Sequence, residues 1–278
     1  MRKYLNTNGK LLDCSQPLIM GILNLTPDSF YDGGKLSDAN AAIDLAGQMI
    51  SHGASIIDVG AQSTRPGAEL ISADEEWERL KTPLALLHER FPDTVISVDT
   101  FYFEVAEKAV AAGAGIINDV SGGSMDKKMF ETVARLKVPY ILMHMKGTPQ
   151  TMQQDPVYEN VVKEVMDFFV ERIQKLTALG VVDLIIDPGF GFGKTMEHNY
   201  ELLSSLSVFK ILERPILVGI SRKSMVNKVT GTKPAEALNG TTVLHTIALQ
   251  HGANILRVHD VREAIEAVKI TAEINRLN

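Results

Sequence analysis

A carboxylate that leads into a glycine-rich loop is the feature of this sequence most directly suited to chemistry. The apolar run 184–186 ends at Asp187, in the position where α/β folds place functional side chains. The loop that follows carries three glycines and two phenylalanines: Pro188-Gly189-Phe190-Gly191-Phe192-Gly193-Lys194. Glycine lets the backbone approach a ligand closely, and phenylalanine offers a flat apolar surface. These residues predict a site for a flat heterocycle with polar edges or for an aromatic amine.

Other polar residues stand at the ends of predicted strands in the same way. They are Asn24, Asp58, Asp99, Asn118, His144, Asp187 and Arg257. A parallel barrel gathers the carboxyl ends of its strands at one mouth, so these side chains are expected to form one ring. Each residue alone could instead be a helix N-cap or a turn residue, and Asp119 could form an Asx turn. Carboxylate and amide oxygens in a ring could accept the N–H groups of a pterin or a guanine.

Positively charged side chains occur in two short segments near the end of the chain. In Ser221-Arg222-Lys223-Ser224, Lys223 is placed to hydrogen-bond a ring carbonyl or an anion, although a solvated loop lysine is the simpler alternative. The segment Arg257-Val258-His259 places two donors on one face at the end of the last strand, where many barrels bind phosphate. Lys194 is not a P-loop lysine, because Pro188 stands where that motif requires glycine.

Two further segments follow the first strands. Asn24 could ligate Mg²⁺, which uses few protein ligands when phosphate oxygens supply the others. Ser63-Thr64-Arg65-Pro66-Gly67 offers a hydroxyl and a guanidinium, in what could also be an ordinary Pro-Gly turn.

Alternating strand and helix patterns position these residues. Strands are predicted at 18–24, 55–60, 95–99, 116–119, 140–144, 184–187, 216–219 and 255–258. Helices are predicted at 39–52, 72–91, 103–112, 126–136, 156–179, 196–206, 234–251 and 260–276. Eight such units predict an α/β fold of the (β/α)8 TIM-barrel type, with a doubly wound open sheet as the alternative. Asn8-Gly9 predicts an N-terminal β-hairpin that caps the bottom of the barrel, and nothing indicates a domain boundary within 1–278.

The composition is that of a soluble globular protein, with 45% hydrophobic and 22% charged residues. A net charge of −6 gives no support to binding of nucleic acid or acidic membranes. An anionic substrate would therefore need locally concentrated positive charge. The single cysteine, Cys14, cannot form an internal disulfide, and there is neither a signal peptide nor an apolar run of membrane-spanning length. We expect a cytoplasmic protein.

Seven motifs in order resemble those of the dihydropteroate synthase family, and together they cover almost the whole chain. They are Met20 to Gly34, Ser63-Thr64-Arg65-Pro66-Gly67, Ser97-Val98-Asp99-Thr100, Ile117-Asn118-Asp119-Val120, Asp187 to Lys194, Ser221-Arg222-Lys223 and Arg257-Val258-His259-Asp260. The resemblance implies a transferase that forms a C–N bond in folate biosynthesis. It would condense 6-hydroxymethyl-7,8-dihydropterin pyrophosphate with p-aminobenzoate to give 7,8-dihydropteroate and pyrophosphate, with Mg²⁺ as cofactor.

The resemblance also assigns residues to each part of the site. The pterin would be bound by Asp99, Asn118, Met143, Asp187, Gly219 and Lys223. The pyrophosphate would be bound by Asn24, Arg65, Arg257 and His259, with Asn24 as the metal ligand. The p-aminobenzoate would be bound by Thr64, Arg65, Pro66, Phe192, Lys223 and Ser224. The residues expected to act in catalysis are Asp99, Asp187, Lys223, Arg257 and His259.

The family is usually homodimeric, and sulfonamides compete in it with p-aminobenzoate. Its chemistry would be a dissociative displacement, in which pyrophosphate leaves before the amine attacks. One departure from the family pattern is Ala61-Gln62, where many members carry Gly-Glu before Ser-Thr-Arg. We therefore assign no catalytic role to Gln62. The alternatives are a pterin-dependent methyltransferase barrel, which needs no pyrophosphate site, and a non-catalytic paralogue that binds pterin.

Overall fold

Eight parallel strands close into a barrel in the computed structural model, which describes residues 4–25, 35–63, 69–152 and 156–277. The barrel strands are β3 (Leu18–Asn24), β4 (Ile56–Gly60), β5 (Val95–Asp99), β6 (Ile116–Asp119), β7 (Tyr140–Met143), β8 (Leu184–Asp187), β9 (Leu217–Val218) and β10 (Ile255–Val258). Their order in the sheet is β8-β7-β6-β5-β4-β3-β10-β9. A parallel bridge between Ile186 and Ile216 joins the first and last strands of that order and closes the barrel. The closed (β/α)8 prediction is confirmed, and the open sheet is excluded.

Helices surround the barrel and connect its strands. They are α1 (Lys35–Ser51), α2 (Ala73–Arg90), α3 (Phe103–Ala111), α4 (Met129–Leu136), α5 (Val161–Ala178), α6 (Met196–Ser204), α7 (Ser224–Thr230), α8 (Leu238–Gln250) and α9 (Val261–Arg276). Two 3₁₀ segments, Leu206–Leu212 and Pro234–Glu236, lie between them. Within the described ranges, no helix combines the length and the apolar character needed to cross a membrane.

Side chains alternate between the inside and the outside of the barrel along each strand. The lowest inner layer is a buried apolar floor made of Met20, Ile56, Val95, Ile116, Ile141, Ile185, Leu217 and Ile255. Two positions further along the same strands stand Ile22, Asp58, Ser97, Asn118, Met143, Asp187, Gly219 and Arg257, of which five are polar or charged. The polar layer therefore lies directly above the apolar floor, toward the mouth of the barrel.

The N-terminal hairpin packs beneath this floor. Its strands β1 (Tyr4–Thr7) and β2 (Lys10–Asp13) pair antiparallel around Asn8-Gly9. Leu5, Leu12 and Cys14 join the apolar cluster of the floor. The predicted hairpin cap is confirmed, and its apolar contacts shield the inner end of the barrel from water.

Among the differences between the predicted and the observed elements, those at α5, β9 and α7 are the clearest. Helix α5 begins at Val161 rather than near 156, because the side chain of Asn160 caps it by accepting from the backbone N–H of Lys163 at 2.8 Å. Strand β9 is only two residues long. The short helix α7 after Lys223 was not predicted; it spans only seven residues and ends at Gly231, whose φ is +70°.

Candidate active site

Asp58 lies at the centre of the hydrogen-bonded network inside the barrel. Its carboxylate is fully buried. Oδ1 accepts from Ser97 Oγ at 2.6 Å, and Oδ2 accepts from Asn118 Nδ2 at 3.0 Å and from Arg257 Nε at 2.6 Å. Three donors from three other strands thus satisfy one carboxylate, which fixes the positions of Asn118 and Arg257 relative to each other.

Arg257 also joins a second carboxylate. Its Nη2 donates to Asp99 Oδ2 at 2.9 Å. Burial raises the pKa of Asp99 to about 7, although the guanidinium of Arg257 opposes this shift. The centre of the barrel therefore holds one guanidinium between two carboxyl groups, and one of these groups changes charge near neutral pH.

Asp187 and Lys223 form the second charged pair of the mouth. The backbone N–H of Gly189 donates to Asp187 Oδ1 at 2.8 Å and fixes that carboxylate. Burial raises the pKa of Asp187, and the ammonium of Lys223 lowers it. Burial lowers the pKa of Lys223 to about 8, while Asp187 raises it. Lys223 donates to the carbonyl oxygen of Phe190, so its ammonium is held beside the glycine-rich loop.

An apolar wall lies beside these charges. Buried side chains from four loops and strands form it: Phe101, Val120, Met143, Met145 and Met152. Phe192 packs against this wall, and the Lys223 ammonium lies 4.5 Å from the centroid of its ring. Phe190, by contrast, is fully buried in the core between barrel and helices. Of the two loop phenylalanines, only Phe192 can face a ligand.

His259 stands at the exposed end of β10. The hydroxyl of Ser221 accepts from the backbone N–H of His259 at 3.3 Å and lies 3.0 Å from its Nδ1. With the hydroxyl proton directed at Nδ1, the remaining ring donor is Nε2–H. Arg222 forms a separate bidentate pair with Asp260, so it supports the loop and is not a solvated side chain.

Some of the other predicted site residues lie at the mouth of the barrel, and the rest lie outside the residues that the structure describes. Asn24 is exposed and is level with Gly60 and Asp99 in the register of the sheet. Gly219 lies where an added Cβ would be 4.0 Å from Lys223 Nζ. Ser224 is exposed at the first turn of α7. Thr64, Arg65 and Pro66 lie outside the described residues.

The polar ring differs from the prediction most clearly at β7. His144 follows β7, but its ring Nδ1 lies 2.9 Å from Lys194 Nζ and its ring plane is nearly perpendicular to that of Phe168. Burial lowers the pKa of His144 to about 2. His144 therefore packs beneath the loops and is not part of the polar ring at the mouth of the barrel. Asp119 accepts from the backbone N–H of Ser121 at 2.8 Å, as an Asx turn requires.

Gln62 has a structural role that agrees with the absence of a catalytic assignment. Its Oε1 accepts from the backbone N–H of Ile71 at 3.1 Å, and its Nε2 donates to the carbonyl oxygens of Ser63 and Glu69, both at 3.3 Å. A carboxylate at this position could not make the two donations. The neutral amide joins the two ends of the segment 63–71.

Three residues of the site were not assigned by the sequence analysis. Asp58 was noted at a strand end, and the two-residue alternation from Ile56 was the signal that would have placed it inside the barrel. Ser221 was part of a motif but had no separate role. Glu76 carried no signal, since a glutamate in the first turn of a helix is ordinarily solvated.

Glu76 is a fully buried carboxyl group on α2. Neither of its oxygens has a hydrogen-bond partner of good geometry among the described residues. Burial raises its pKa to about 8, and the Thr100 hydroxyl only partly opposes this shift. The folded protein therefore holds a proton on Glu76 that the unfolded chain releases above its ordinary pKa of 4.5.

The mutation Glu76→Gln is expected to stabilise the protein at pH 8 but not at pH 4.5. Because the pKa of Glu76 is higher in the folded state, the wild type loses stability as pH rises from 4.5 to 8. The amide cannot ionise, so the difference in free energy of unfolding should grow to roughly 2–4 kcal/mol over that range. Urea denaturation of both proteins at each pH measures it. A constant difference would show that Glu76 is ionised in the folded state.

Known sequences resemble this chain over almost its whole length. The profile of a family described as "Pterin binding enzyme" matches residues 20–259. The chain is 45% identical over 264 residues to the dihydropteroate synthase of Escherichia coli K12, and the match covers 94% of this chain and 93% of that one.

Solved structures show the same fold. The chain superposes with a TM-score of 0.92 on Yersinia pestis dihydropteroate synthase in a complex with a sulfonamide drug, at 41% identity, covering 98% of this chain and 99% of that one. Xanthomonas albilineans dihydropteroate synthase with 4-aminobenzoic acid also gives a TM-score of 0.92, at 39% identity and 99% coverage of both chains.

Proposed function

The chain belongs to the dihydropteroate synthase family of pterin-binding enzymes, and from this premise we propose how its own residues divide the reaction. The enzyme joins a dihydropterin to p-aminobenzoate in folate synthesis. The observation that carries the proposal is the polar layer above the apolar floor, flanked by a wall of methionine and aromatic side chains. Such a site is suited to a flat ring with hydrogen-bonding edges.

The pterin is assigned to the polar layer. Asp99, Asn118 and Asp187 supply oxygens for its ring N–H groups, and Lys223 supplies a donor for its acceptor edge. Met143, at the base of the apolar wall, and Gly219, which has no side chain to occupy the space, complete the pocket. Asp58 does not need to touch the ligand, because it holds Asn118 and Arg257 in place.

The pyrophosphate is assigned to the end of β10 and to the loops above it. Arg257 and His259 donate to its oxygens, and Arg65, outside the described residues, would add a second guanidinium. Burial lowers the pKa of His259 to about 4, so His259 donates as a neutral ring and Arg257 is the charged donor at the end of β10.

Mg²⁺ fits the donor set at this place. Among the described residues, no group of three or more histidine, cysteine, aspartate or glutamate side chains could hold a metal. The amide oxygen of Asn24 is exposed at the mouth, and one protein ligand suits an ion that shares phosphate oxygens. Bound there, Mg²⁺ would neutralise negative charge on the pyrophosphate.

The displacement is proposed to be dissociative. The bond between the pterin methylene carbon and the pyrophosphate oxygen breaks, and its electron pair leaves with the oxygen. Arg257 and His259 stabilise the charge on that oxygen, and the carboxylates of Asp99 and Asp187 stabilise the cation on the pterin. The arylamine lone pair then forms the C–N bond, and the amine nitrogen releases a proton to water.

The arylamine is assigned to Phe192, Lys223 and Ser224, together with Thr64, Arg65 and Pro66, which lie outside the described residues. Replacing Phe192 with leucine is expected to raise KM for p-aminobenzoate by roughly 3–10-fold, because a ring–ring contact is lost. KM for the pterin pyrophosphate should stay within about twofold. Steady-state kinetics with each substrate varied in turn measures both. An unchanged KM for p-aminobenzoate would remove Phe192 from the amine site.

We propose that sulfonamides compete with p-aminobenzoate at this site.

We also propose that the protein partner of the chain is a second copy of itself. Large apolar side chains are exposed on the last three helices: Val229, Val243, Ile270 and Ile274. Exposed apolar side chains grouped on adjoining helices are typical of a subunit interface. We place the enzyme in the cytoplasm, with no membrane or nucleic-acid partner.

One assay separates the proposed function from its alternatives. The protein is mixed with 6-hydroxymethyl-7,8-dihydropterin pyrophosphate, p-aminobenzoate and Mg²⁺, and 7,8-dihydropteroate is measured by chromatography, with each component omitted in turn. Product that requires both substrates is expected. Binding of the pterin without product would favour the non-catalytic paralogue, and pterin binding that is indifferent to pyrophosphate would favour the methyltransferase.

A further inference from the structure

The buried ammonium of Lys194 lies between two loops at the mouth of the barrel. The residue is only 3% exposed. Its Nζ is 2.9 Å from Nδ1 of His144 and 3.3 Å from the carbonyl oxygen of the same residue. It is also 2.9 Å from the carbonyl oxygen of Gly189 and 3.0 Å from that of Phe192. Nζ is thus surrounded by four uncharged acceptors, and burial lowers the pKa of Lys194 to about 7 while the carboxylate of Asp187 raises it.

The backbones of the two loops are pressed together at this point. A Cβ on Gly189, whose φ is +70°, would lie 1.9 Å from the carbonyl oxygen of His144. A Cβ on Gly193, whose φ is +63°, would lie 2.3 Å from the carbonyl oxygen of Lys146. Glycine permits this approach, but it also brings carbonyl oxygens together in a buried place. Lys194 donates to three carbonyl oxygens that meet here, those of His144, Gly189 and Phe192.

The tautomer of His144 is consistent with this arrangement. Burial keeps its imidazole neutral, with a pKa lowered to about 2. When Lys194 is protonated, its Nζ is the donor and Nδ1 of His144, 2.9 Å away, is the acceptor. The ring packs against Phe168, with the two ring planes at 81° and their centroids 4.8 Å apart. Lys194 therefore donates toward the loop after β7 and toward the loop after β8.

Both loops carry residues that are assigned to substrates. The loop after β7 begins next to Met143 and contains Met145, and both side chains belong to the apolar wall. The loop after β8 begins at Asp187, and its residue Phe192 gives Lys194 one of the four acceptors. The ammonium thus links the parts of the two loops that would meet the pterin and the arylamine.

We propose that Lys194 is a positioning residue for both substrates: by bonding to the carbonyls of His144, Gly189 and Phe192 it locks the loops after β7 and β8 into the geometry that Asp187 and Phe192 need. This inference rests on the assignment of Asp187 to the pterin and of Phe192 to the amine. Lys194 itself touches neither substrate, because its donors are directed at the loops.

The substitution Lys194→Met tests whether Lys194 holds the loops after β7 and β8 in place. Methionine keeps an unbranched chain of similar length and removes the ammonium. KM for p-aminobenzoate and for the pterin pyrophosphate is expected to rise about 10-fold or more, with kcat reduced by less than about 5-fold, since the loops hold the ground state and the transition state alike. Hydrogen exchange should become faster in residues 144–152 and 188–194 and remain unchanged in the strands of the barrel.

A pair of substitutions at His144 provides the matched control. In His144→Asn the amide oxygen can replace Nδ1 as an acceptor, so the KM values should stay within about threefold of wild type. In His144→Leu the ring acceptor is lost while the three carbonyl acceptors remain, so KM and loop exchange should change in the same direction as in Lys194→Met but to a smaller extent. Lys163→Met removes an exposed lysine of α5 that pairs only with Asp167 and is expected to change nothing. The His144 pair also carries the test if Lys194→Met fails to fold.

Two results would overturn the proposal. The first is unchanged KM values and unchanged loop exchange in both Lys194→Met and His144→Leu. The second is faster exchange throughout the barrel without a change in KM, which would make Lys194 a general stabilising residue. Hydrogen exchange measures the loops without any turnover. If the wild type formed no 7,8-dihydropteroate, the proposed function would be rejected, but the exchange data would still show whether Lys194 holds the loops.

Discussion

Replacing Arg257 with methionine is expected to lower turnover by at least about 10³-fold and to destabilise the fold by roughly 3–5 kcal/mol. The loss of turnover follows because the leaving pyrophosphate loses a guanidinium. The loss of stability follows because Asp58 and Asp99 would remain as buried carboxyl groups without their cation. Steady-state kinetics and urea denaturation at pH 7.5 measure the two effects.

The stability defect of this variant should depend on pH in a definite direction. Without Arg257 the pKa of Asp99, already raised to about 7, rises further. The defect should therefore grow as pH rises above about 7, where Asp99 ionises in the folded wild type but keeps its proton in the folded variant. Arg90→Met is the control, since it removes an exposed ion pair with Asp44 and is expected to cost less than about 1 kcal/mol. Turnover within 10-fold of wild type in Arg257→Met would contradict the assignment.

Asp187→Asn is expected to lower kcat/KM by about 10²–10³-fold while the protein remains folded. Asparagine has the same shape, and its Oδ1 can still accept from the backbone N–H of Gly189. What is lost is the negative charge that faces the pterin N–H groups and the cation on the methylene carbon. Kinetics and equilibrium binding of the pterin pyrophosphate measure the loss.

The same variant carries a prediction about Lys223. Asp187 raises the pKa of Lys223 against the effect of burial, which leaves it at about 8. Removing that charge lowers the pKa of Lys223, so pterin affinity should begin to fall at a lower pH in Asp187→Asn than in the wild type. Titrations of binding between pH 6 and 9 compare the two. Equal pH profiles, with equal affinity at pH 7, would show that Asp187 contacts neither Lys223 nor the pterin.

The barrel was predictable because its strands are short apolar runs with clear ends. Strands β3, β5, β6, β8 and β10 begin and end where the sequence pattern placed them. The hydrophobic side chains of these strands face either the floor or the helices, so almost every position is apolar and the boundary is set by the first polar residue. Helix α7 was missed because seven residues without a strong apolar stripe give little periodic signal.

The sequence indicated which residues form the site, but not how deep in the barrel each of them lies. The sequence indicated which residues end the strands, yet Asp58 lies one layer below Asp99 and makes the network's central contacts. Phe190 and Phe192 are equivalent by type and spacing, and only packing separates the core residue from the one that lines the mouth. His144 and Lys194 lie on two different loops and are 50 residues apart in the sequence, so no local pattern could indicate their contact.

The most direct test of the dissociative order, and of the role of Arg257 in it, is release of pyrophosphate in the absence of p-aminobenzoate. The protein is mixed with 6-hydroxymethyl-7,8-dihydropterin pyrophosphate and Mg²⁺, and free pyrophosphate is measured over time for the wild type and for Arg257→Met. We predict release by the wild type without amine, and release slowed by at least about 10²-fold in the variant. Release that begins only when p-aminobenzoate is added would contradict the dissociative order and require a concerted displacement.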